Sequence, residues 1–211
     1  MTMKLYYAPG TCSLAPIILA EWLGLELELE RVNHRAPTPE YLQINPLGAV
    51  PALQLDGGQA ETQVDAILQY FTALRPDSGL DGGEDELDRF ELHRWVAFLT
   101  GDFHPPFGGW FNPARYTTDP SEDAIAAVKG GFERRVRQVT QVLEDQVGKQ
   151  GGEHIALGRR TLLDGYAFAM VRWLRFLDGG LEAWPNLHRF MQDLEQDPGV
   201  QRALEREKRG R

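Results

Sequence analysis

The sequence predicts a small α/β domain followed by an all-α helical bundle. Three features point that way. The first third of the chain alternates short strand-like and helix-like runs, a stretch rich in glycine, proline and acid follows ("RPDSGLDGGEDE"), and the apolar patterns beyond it have helical spacing. We place the α/β half at 1–77, a linker at 78–86 and the helical half at 87–211.

In chain order, "KLYY" reads as a strand, and "SLAPIILAEWLG" sets Leu14, Ile17 and Ile18 at helical spacing with Gly24 as the stop. "LELELERVN" alternates apolar and charged residues with a period of two, so a second strand completes a βαβ unit. "NPLGAVPALQLDGGQAET" then predicts a strand through Leu53 and Leu55, an Asp-Gly-Gly turn and a short returning strand. "VDAILQYFTAL" resumes helical spacing. Beyond the linker, Leu92, Trp95, Val96 and Leu99 fall at i, i+3, i+4 and i+7, and the same rule holds for Phe132, Val136, Val139 and Leu143, and for Leu187, Phe190, Met191 and Leu194.

Composition narrows the function classes. Hydrophobic residues at 42% and charged residues at 25% are ordinary globular values, so disorder is not expected. A formal net charge of -9 disfavours nucleic acid and anionic membrane surfaces as partners. The opening residues lack the apolar core of a secretory signal and no run is long enough to span a bilayer, which makes a cytoplasmic location the expectation. The five histidines, at 34, 93, 104, 154 and 188, are far apart, so no metal site is expected.

A single cysteine, Cys12, cannot form an intramolecular disulfide. It is either an inert core residue or a reactive thiol. Its place after a strand, at the entry to a helix, favours the second, because unpaired N–H groups of a first helical turn and the helix dipole stabilise a thiolate. The flexible, polar Gly10 and Thr11 before it suit an accessible turn.

The motifs "YYAPGTCSLAP", "YLQINPLGAVPAL", "AILQY", "TLLDGYAFAMVRW" and "WPNLHRFM", in this order, resemble the glutathione S-transferase family over essentially the whole chain, and the bacterial beta class in particular. The resemblance implies a thioredoxin-like first domain of order β-α-β-α-β-β-α, a helical second domain, glutathione as co-substrate and a homodimer. It also implies site residues. Cys12 takes the active-site position, and Tyr7 and Ser13 match positions that activate the glutathione sulfur in other classes. Pro51 takes the cis-proline position, which turns the Val50 backbone toward the cysteinyl part of glutathione. Gln63, followed by Val64, takes the position that meets the γ-glutamyl end. His104 aligns with the histidine of the family's "ELHK" segment, Asp102 with its acid, and Arg35 or His34 with the basic residue of a longer loop. Thr161 and Asp164 form a capping box whose expected role is structural.

Phe103, Phe107, Trp110 and Phe111 crowd the His104 segment and either line an apolar electrophile pocket or pack as core. Three functions follow from the resemblance. The first is conjugation of the glutathione thiolate to small apolar electrophiles. The second is thiol-disulfide exchange or peroxide reduction with Cys12 as nucleophile. The third is a non-catalytic binding protein of the same fold, motivated by Val64, Ala97 and Pro105 standing where the family commonly has a small hydroxyl-bearing residue or glycine, an asparagine and a lysine.

Overall fold

The computed structural model describes residues 2–209. Strand β1 (Met3–Tyr7) is the second of four in a mixed sheet of order β2-β1-β3-β4. β2 (Glu28–Arg31) runs parallel to it on one side, and β3 (Ala52–Leu55) runs antiparallel on the other and pairs antiparallel with β4 (Ala60–Thr62). The register sets Leu5 opposite Leu29 and Leu53, so the apolar side chains share one face of the pleat. The Asp-Gly turn between β3 and β4 uses two left-handed residues, Asp56 (φ 46°) and Gly57 (φ 71°), as the sequence predicts for a hairpin.

Helix α1 (Leu14–Leu23) ends at Gly24, whose φ of 61° and N–H bond to the Ala20 carbonyl form the expected left-handed cap. Eight of its ten residues are buried, because it is sandwiched between α3 (Val64–Ala73) on the sheet side and two helices of the second half, α7 (Leu162–Val171) and α9 (Pro198–Arg209). A Cβ at Gly199 would lie 2.5 Å from Trp22 Cδ1, and Trp22 Nε1 donates to Asp197 at 2.8 Å, so glycine permits the close approach of α9. Helix α2 (Pro39–Ile44), expected only from the family resemblance, is capped by Thr38, whose hydroxyl accepts from the Tyr41 N–H.

The acidic stretch is less free than its composition suggests. A 3-10 turn covers Pro76–Ser78, Leu80 is buried, and its carbonyl accepts from the Leu162 N–H. Arg159 donates to the Gly79 and Gly82 carbonyls, so helix α7 and its approach hold this segment in place. Helix α4 (Glu86–Phe98) begins at Asp85, whose carboxylate accepts from the Leu87 and Asp88 N–H groups. It passes through a π-type turn at Leu99–Phe103 into α5 (His104–Phe111), where Pro105 and Pro106 have no N–H to continue the regular ladder. Helix α6 (Glu122–Lys149) and helix α8 (Pro185–Glu195) complete the bundle. Every residue of α7 is buried, and its start carries the expected capping box of Thr161 and Asp164. No helix among the described residues is long and apolar enough to cross a membrane.

Candidate active-site cleft

A cavity of about 200 Å³ opens between the sheet half and the helical half. The loop after β1 contributes Cys12, the segment before β3 contributes Val50 and Pro51, and the entry to α3 contributes Thr62, Gln63, Val64 and Asp65. The far wall is Thr100 and His104 from the α4–α5 junction and Tyr166 from α7. Six of the ten residues predicted for the site therefore share one cavity: Cys12, Val50, Pro51, Gln63, Val64 and His104.

Each is placed by local chemistry. The Val50–Pro51 peptide bond is cis. Asn45 and Tyr41 both donate side-chain hydrogen bonds to the Ala49 carbonyl, which fixes the approach to that bond. Gln63 sits at φ 72° and ψ 114° just before α3, a region that residues with a Cβ rarely adopt, and this strained backbone lies on the cleft wall.

Cys12 departs from the thiolate expected of it. Helix α1 starts at Leu14 with Ser13 as its N-cap, while Cys12 is buried and its thiol donates to the Val50 carbonyl at 3.6 Å. Burial pushes the thiol up to about 12, outweighing the opposing pull of a backbone hydrogen bond and the Arg172 charge. At neutral pH the group is an S–H donor. His104 is shifted the other way, down to about 4, because burial disfavours the imidazolium. Its ring lies 5.3 Å from that of Trp173.

Four predicted residues lie elsewhere. Tyr7 is fully buried under the sheet and its hydroxyl donates to the Glu207 carbonyl at 3.3 Å. Ser13 is also fully buried; its hydroxyl exchanges hydrogen bonds with Ala8 and Thr11 and shapes the loop from within. Asp102 points outward to Arg135 on α6 at 2.7 Å, and Arg35 is exposed outside the cavity lining. The aromatic segment divides: Phe103, Phe107 and Trp110 are core, whereas Phe111 is 41% exposed. A run of ring contacts leads from His104 through Trp173 to Phe111 and on to the exposed Phe176.

Asn45, Thr100, Asp65 and Tyr166 were not singled out from sequence. Tyr166 carries the only hydroxyl on a helix that is apolar apart from its capping Asp164, a signal that helical spacing alone reads as core.

The same loop is locked from behind. Arg172 donates from Nη1 and Nη2 to the two Glu207 carboxylate oxygens at 3.0 and 2.8 Å, and Nη2 also donates to the Thr11 carbonyl at 2.9 Å. Glu207 accepts from the Gly10 N–H at 3.0 Å, and Trp173 Nε1 donates to the Gly10 carbonyl at 2.8 Å. Thus the C-terminal helices hold the loop that presents Cys12.

Comparison with known proteins agrees with this architecture. Residues 11–74 match the family described as "Glutathione S-transferase, N-terminal domain" and residues 102–207 that described as "Glutathione S-transferase, C-terminal domain". The chain is 36% identical over 206 residues to glutathione S-transferase GST-4.5 of Xanthomonas campestris, covering 97% of this chain and 98% of that protein. It is similar to the structure of a sphingomonad glutathione S-transferase complexed with glutathione (31% identity, TM-score 0.82, 98% and 99% of the two chains). It is also similar to a bacterial beta class glutathione S-transferase of Sphingomonas chungbukensis (30% identity, TM-score 0.83, 97% and 98%). With both halves matched and the likeness running the length of the chain, this protein belongs to the glutathione S-transferase family of enzymes, with beta-class members among its structural neighbours.

Proposed function

We propose that the cleft binds glutathione and that the protein transfers its thiolate to small apolar electrophiles. The observation that carries this reading is the convergence of Val50 with cis-Pro51, the α3 entry at Gln63, and Cys12 and His104 on one cavity. In this reading the Val50 backbone pairs with the cysteinyl part of glutathione, and Gln63 with the first amides of α3 takes the γ-glutamyl end. The glutathione S–H proton leaves to water; the sulfur's electron pair forms the new C–S bond as the electrophile's leaving group departs with its own pair. Holding both reactants in the cleft supplies much of the rate. The electrophile rests beside His104, where Trp173 and Phe111 continue an aromatic surface.

The buried S–H of Cys12 favours a supporting role over that of nucleophile, because thiol-disulfide exchange needs a thiolate. His104, shifted down to about 4, is neutral in the working range and orients or donates rather than acting as a base. We further propose a homodimer, consistent with Phe90 and Leu87 on α4 and Leu47 beside the cleft being exposed apolar side chains.

Calorimetric titration of the reduced protein with glutathione near neutral pH, followed by a conjugation assay with 1-chloro-2,4-dinitrobenzene, tests the reading. Saturable binding and glutathione-dependent release of chloride are expected. Absence of saturation at millimolar glutathione would overturn it and leave a binding protein of the same fold.

A further inference from the structure

The aromatic run that leaves the cleft at His104 ends in solvent. Phe111 and Phe176, with ring centroids 6.1 Å apart, are both exposed, and Trp173 backs Phe111 at 5.9 Å. A surface of this kind takes a planar apolar ligand. Its rim, however, is cationic. The Arg175 guanidinium lies over the Phe176 ring at 5.1 Å, and Arg115 sits in the 3-10 turn Pro113–Tyr116 that follows the end of α5.

The fold brings a further basic segment to the same rim. β1 and β2 run parallel as neighbours, so the segments that follow them leave the sheet side by side, and the Val32 N–H donates to the Tyr7 carbonyl at 2.9 Å. The first segment is held by Trp173, whose Nε1 donates to the Gly10 carbonyl at 2.8 Å. The second turns at Asn33, whose side chain accepts from the Arg35 N–H at 3.2 Å. This turn carries His34 and Arg35. The half-buried His34 imidazole loses proton affinity first to burial and then to the charges of Arg35 and Arg115, so groups from both halves of the chain stand within electrostatic reach of one another.

These charges are unanswered. The chain has 31 acidic side chains against 22 basic ones, and elsewhere its arginines meet them: Arg94, Arg135, Arg137 and Arg172 each pair with a carboxylate at 2.7 to 2.9 Å. Among the described residues, Arg35, Arg115 and Arg175 pair with none. Unpaired guanidinium groups beside an exposed aromatic face concentrate a positive potential on it, and each can take a carboxylate by two parallel hydrogen bonds. A planar ligand on Phe111 has Arg115 and Arg175 at its margin.

We propose that the electrophile is an aromatic anion: its ring rests on Phe111 and Trp173, and Arg115 and Arg175 bind an anionic substituent, such as a carboxylate, placed away from the reacting carbon. The proposal rests on the reading of the cleft as a glutathione-transfer site and narrows its apolar electrophile to one with a charged end. The charged group takes no part in bond making. It decides which electrophile is held beside the sulfur, while the C–S bond forms and the leaving group departs with its electron pair as before.

The test compares 4-chloro-3,5-dinitrobenzoate with its neutral methyl ester, which lose the same chloride from the same ring. Each kcat/KM is divided by the rate constant with free glutathione at the same pH, which removes the difference in intrinsic reactivity. Wild-type protein is expected to favour the acid about tenfold, and the preference is expected to shrink at high salt because the arginines are exposed. Arg115→Gln and Arg175→Gln are each expected to lower the acid-to-ester ratio about threefold, through the KM of the acid, and the double variant to abolish the preference. Both side chains are exposed, so the variants are expected to melt with wild type. A wild-type ratio near one overturns the proposal. So does a ratio that neither substitution moves, including the case where glutathione affinity falls instead, which would assign the cations to the carboxylates of glutathione. Failure of wild-type protein to bind glutathione is read first, by calorimetry, and removes the underlying reading; binding without an acid preference removes this inference alone.

Discussion

Arg172 and Glu207 meet as a buried, two-pronged ion pair that reaches across the fold to the loop before Cys12. Both are less than a tenth exposed, and their remaining hydrogen-bonding capacity goes to the backbone of Gly10, Thr11 and Ala169. The pair therefore couples the last helix of the chain to the first strand-to-helix turn. Removing one partner leaves the other charge buried and unmatched, which costs about 3–5 kcal/mol. Glu207→Ala is expected to lower stability by that amount in urea titration. Arg172→Met with Glu207→Met, which removes both charges, is expected to recover much of the loss in stability; recovery of conjugation by that double variant would show that the loop does not need the pair for its shape.

Cys12 is predicted to be slow to alkylate. It is the only cysteine, so labelling by iodoacetamide reports it alone. With the thiol pushed up to about 12, the thiolate fraction at pH 8 is on the order of 10⁻⁴, against about a quarter for a free cysteine. Labelling of the folded protein should be at least tenfold slower than of the unfolded protein and still rising at pH 10. The same shift destabilises the fold in base: above about pH 8.5 the unfolded thiol releases a proton that the folded one keeps, so stability falls as pH rises. Fast labelling with a midpoint below pH 8 would restore Cys12 as a nucleophile.

These two residues show how far the sequence carries. The position of Cys12, the cis-proline site and the α3 entry were legible because they are local motifs, and helical spacing located α4, α6 and α8. The state of the thiol was not, because the segment at Val50 that covers it lies 38 residues away. Asp102 and Arg35 were assigned to the site from alignment alone, but Asp102 is drawn outward by Arg135, a partner 33 residues on. Short α2 gives too few residues for periodicity to register, and the π-type turn before His104 follows from two prolines that read equally well as a helix end. Tyr166 was hidden by its surroundings, since beyond the capping Asp164 its helix is apolar and a phenol there looks like core until its oxygen is found without a partner.

His104 predicts an acid sensitivity. Above pH 6.5 both folded and unfolded chains hold a neutral imidazole, and below that the unfolded chain takes a proton that the folded one refuses until about pH 4. Stability should therefore fall by about 1–3 kcal/mol as pH drops across that window. His104→Gln, which does not titrate, should lose less stability between pH 7 and 4.5 than wild type does. Parallel urea titrations at the two pH values decide it; equal losses would mean that another group governs acid unfolding.

Asp164 ties three elements together, and its loss should be felt in the fold rather than the chemistry. It accepts from Thr161 N and Ile155 N, and His154 Nδ1 lies 3.3 Å from it, which raises that imidazole's pKa against an opposing burial effect. Asp164→Ala leaves two buried N–H groups unpaired and should cost about 2–4 kcal/mol. The His154 part of that cost has a sign that can be checked: it is present below the unfolded pKa near 6.5 and fades as pH rises through the higher folded value. The gap in melting temperature between wild type and Asp164→Ala should accordingly narrow from pH 6 to pH 9.

Two helical glycines should respond oppositely to the same substitution. In an exposed helix interior, Gly→Ala stabilises by about 1 kcal/mol because alanine restricts the unfolded chain and favours the helix. Gly130, on α6, has nothing within 4 Å of where its Cβ would stand, so Gly130→Ala should gain most of that amount. Gly109, on α5, is buried, and a Cβ there would lie 2.3 Å from the Phe132 ring that packs from α6. That distance cannot be relieved without moving the ring or parting the helices, and overpacking of this kind costs about 1–3 kcal/mol, more than the propensity gain. Gly109→Ala should therefore lower the melting temperature while Gly130→Ala raises it. Since α5 begins at His104, the first variant should also weaken conjugation and the second leave it unchanged. A stabilising Gly109→Ala would mean that the Phe132 ring can swing aside or the helices part at no cost, and that the close approach at Phe132 is not what sets the far wall of the cleft.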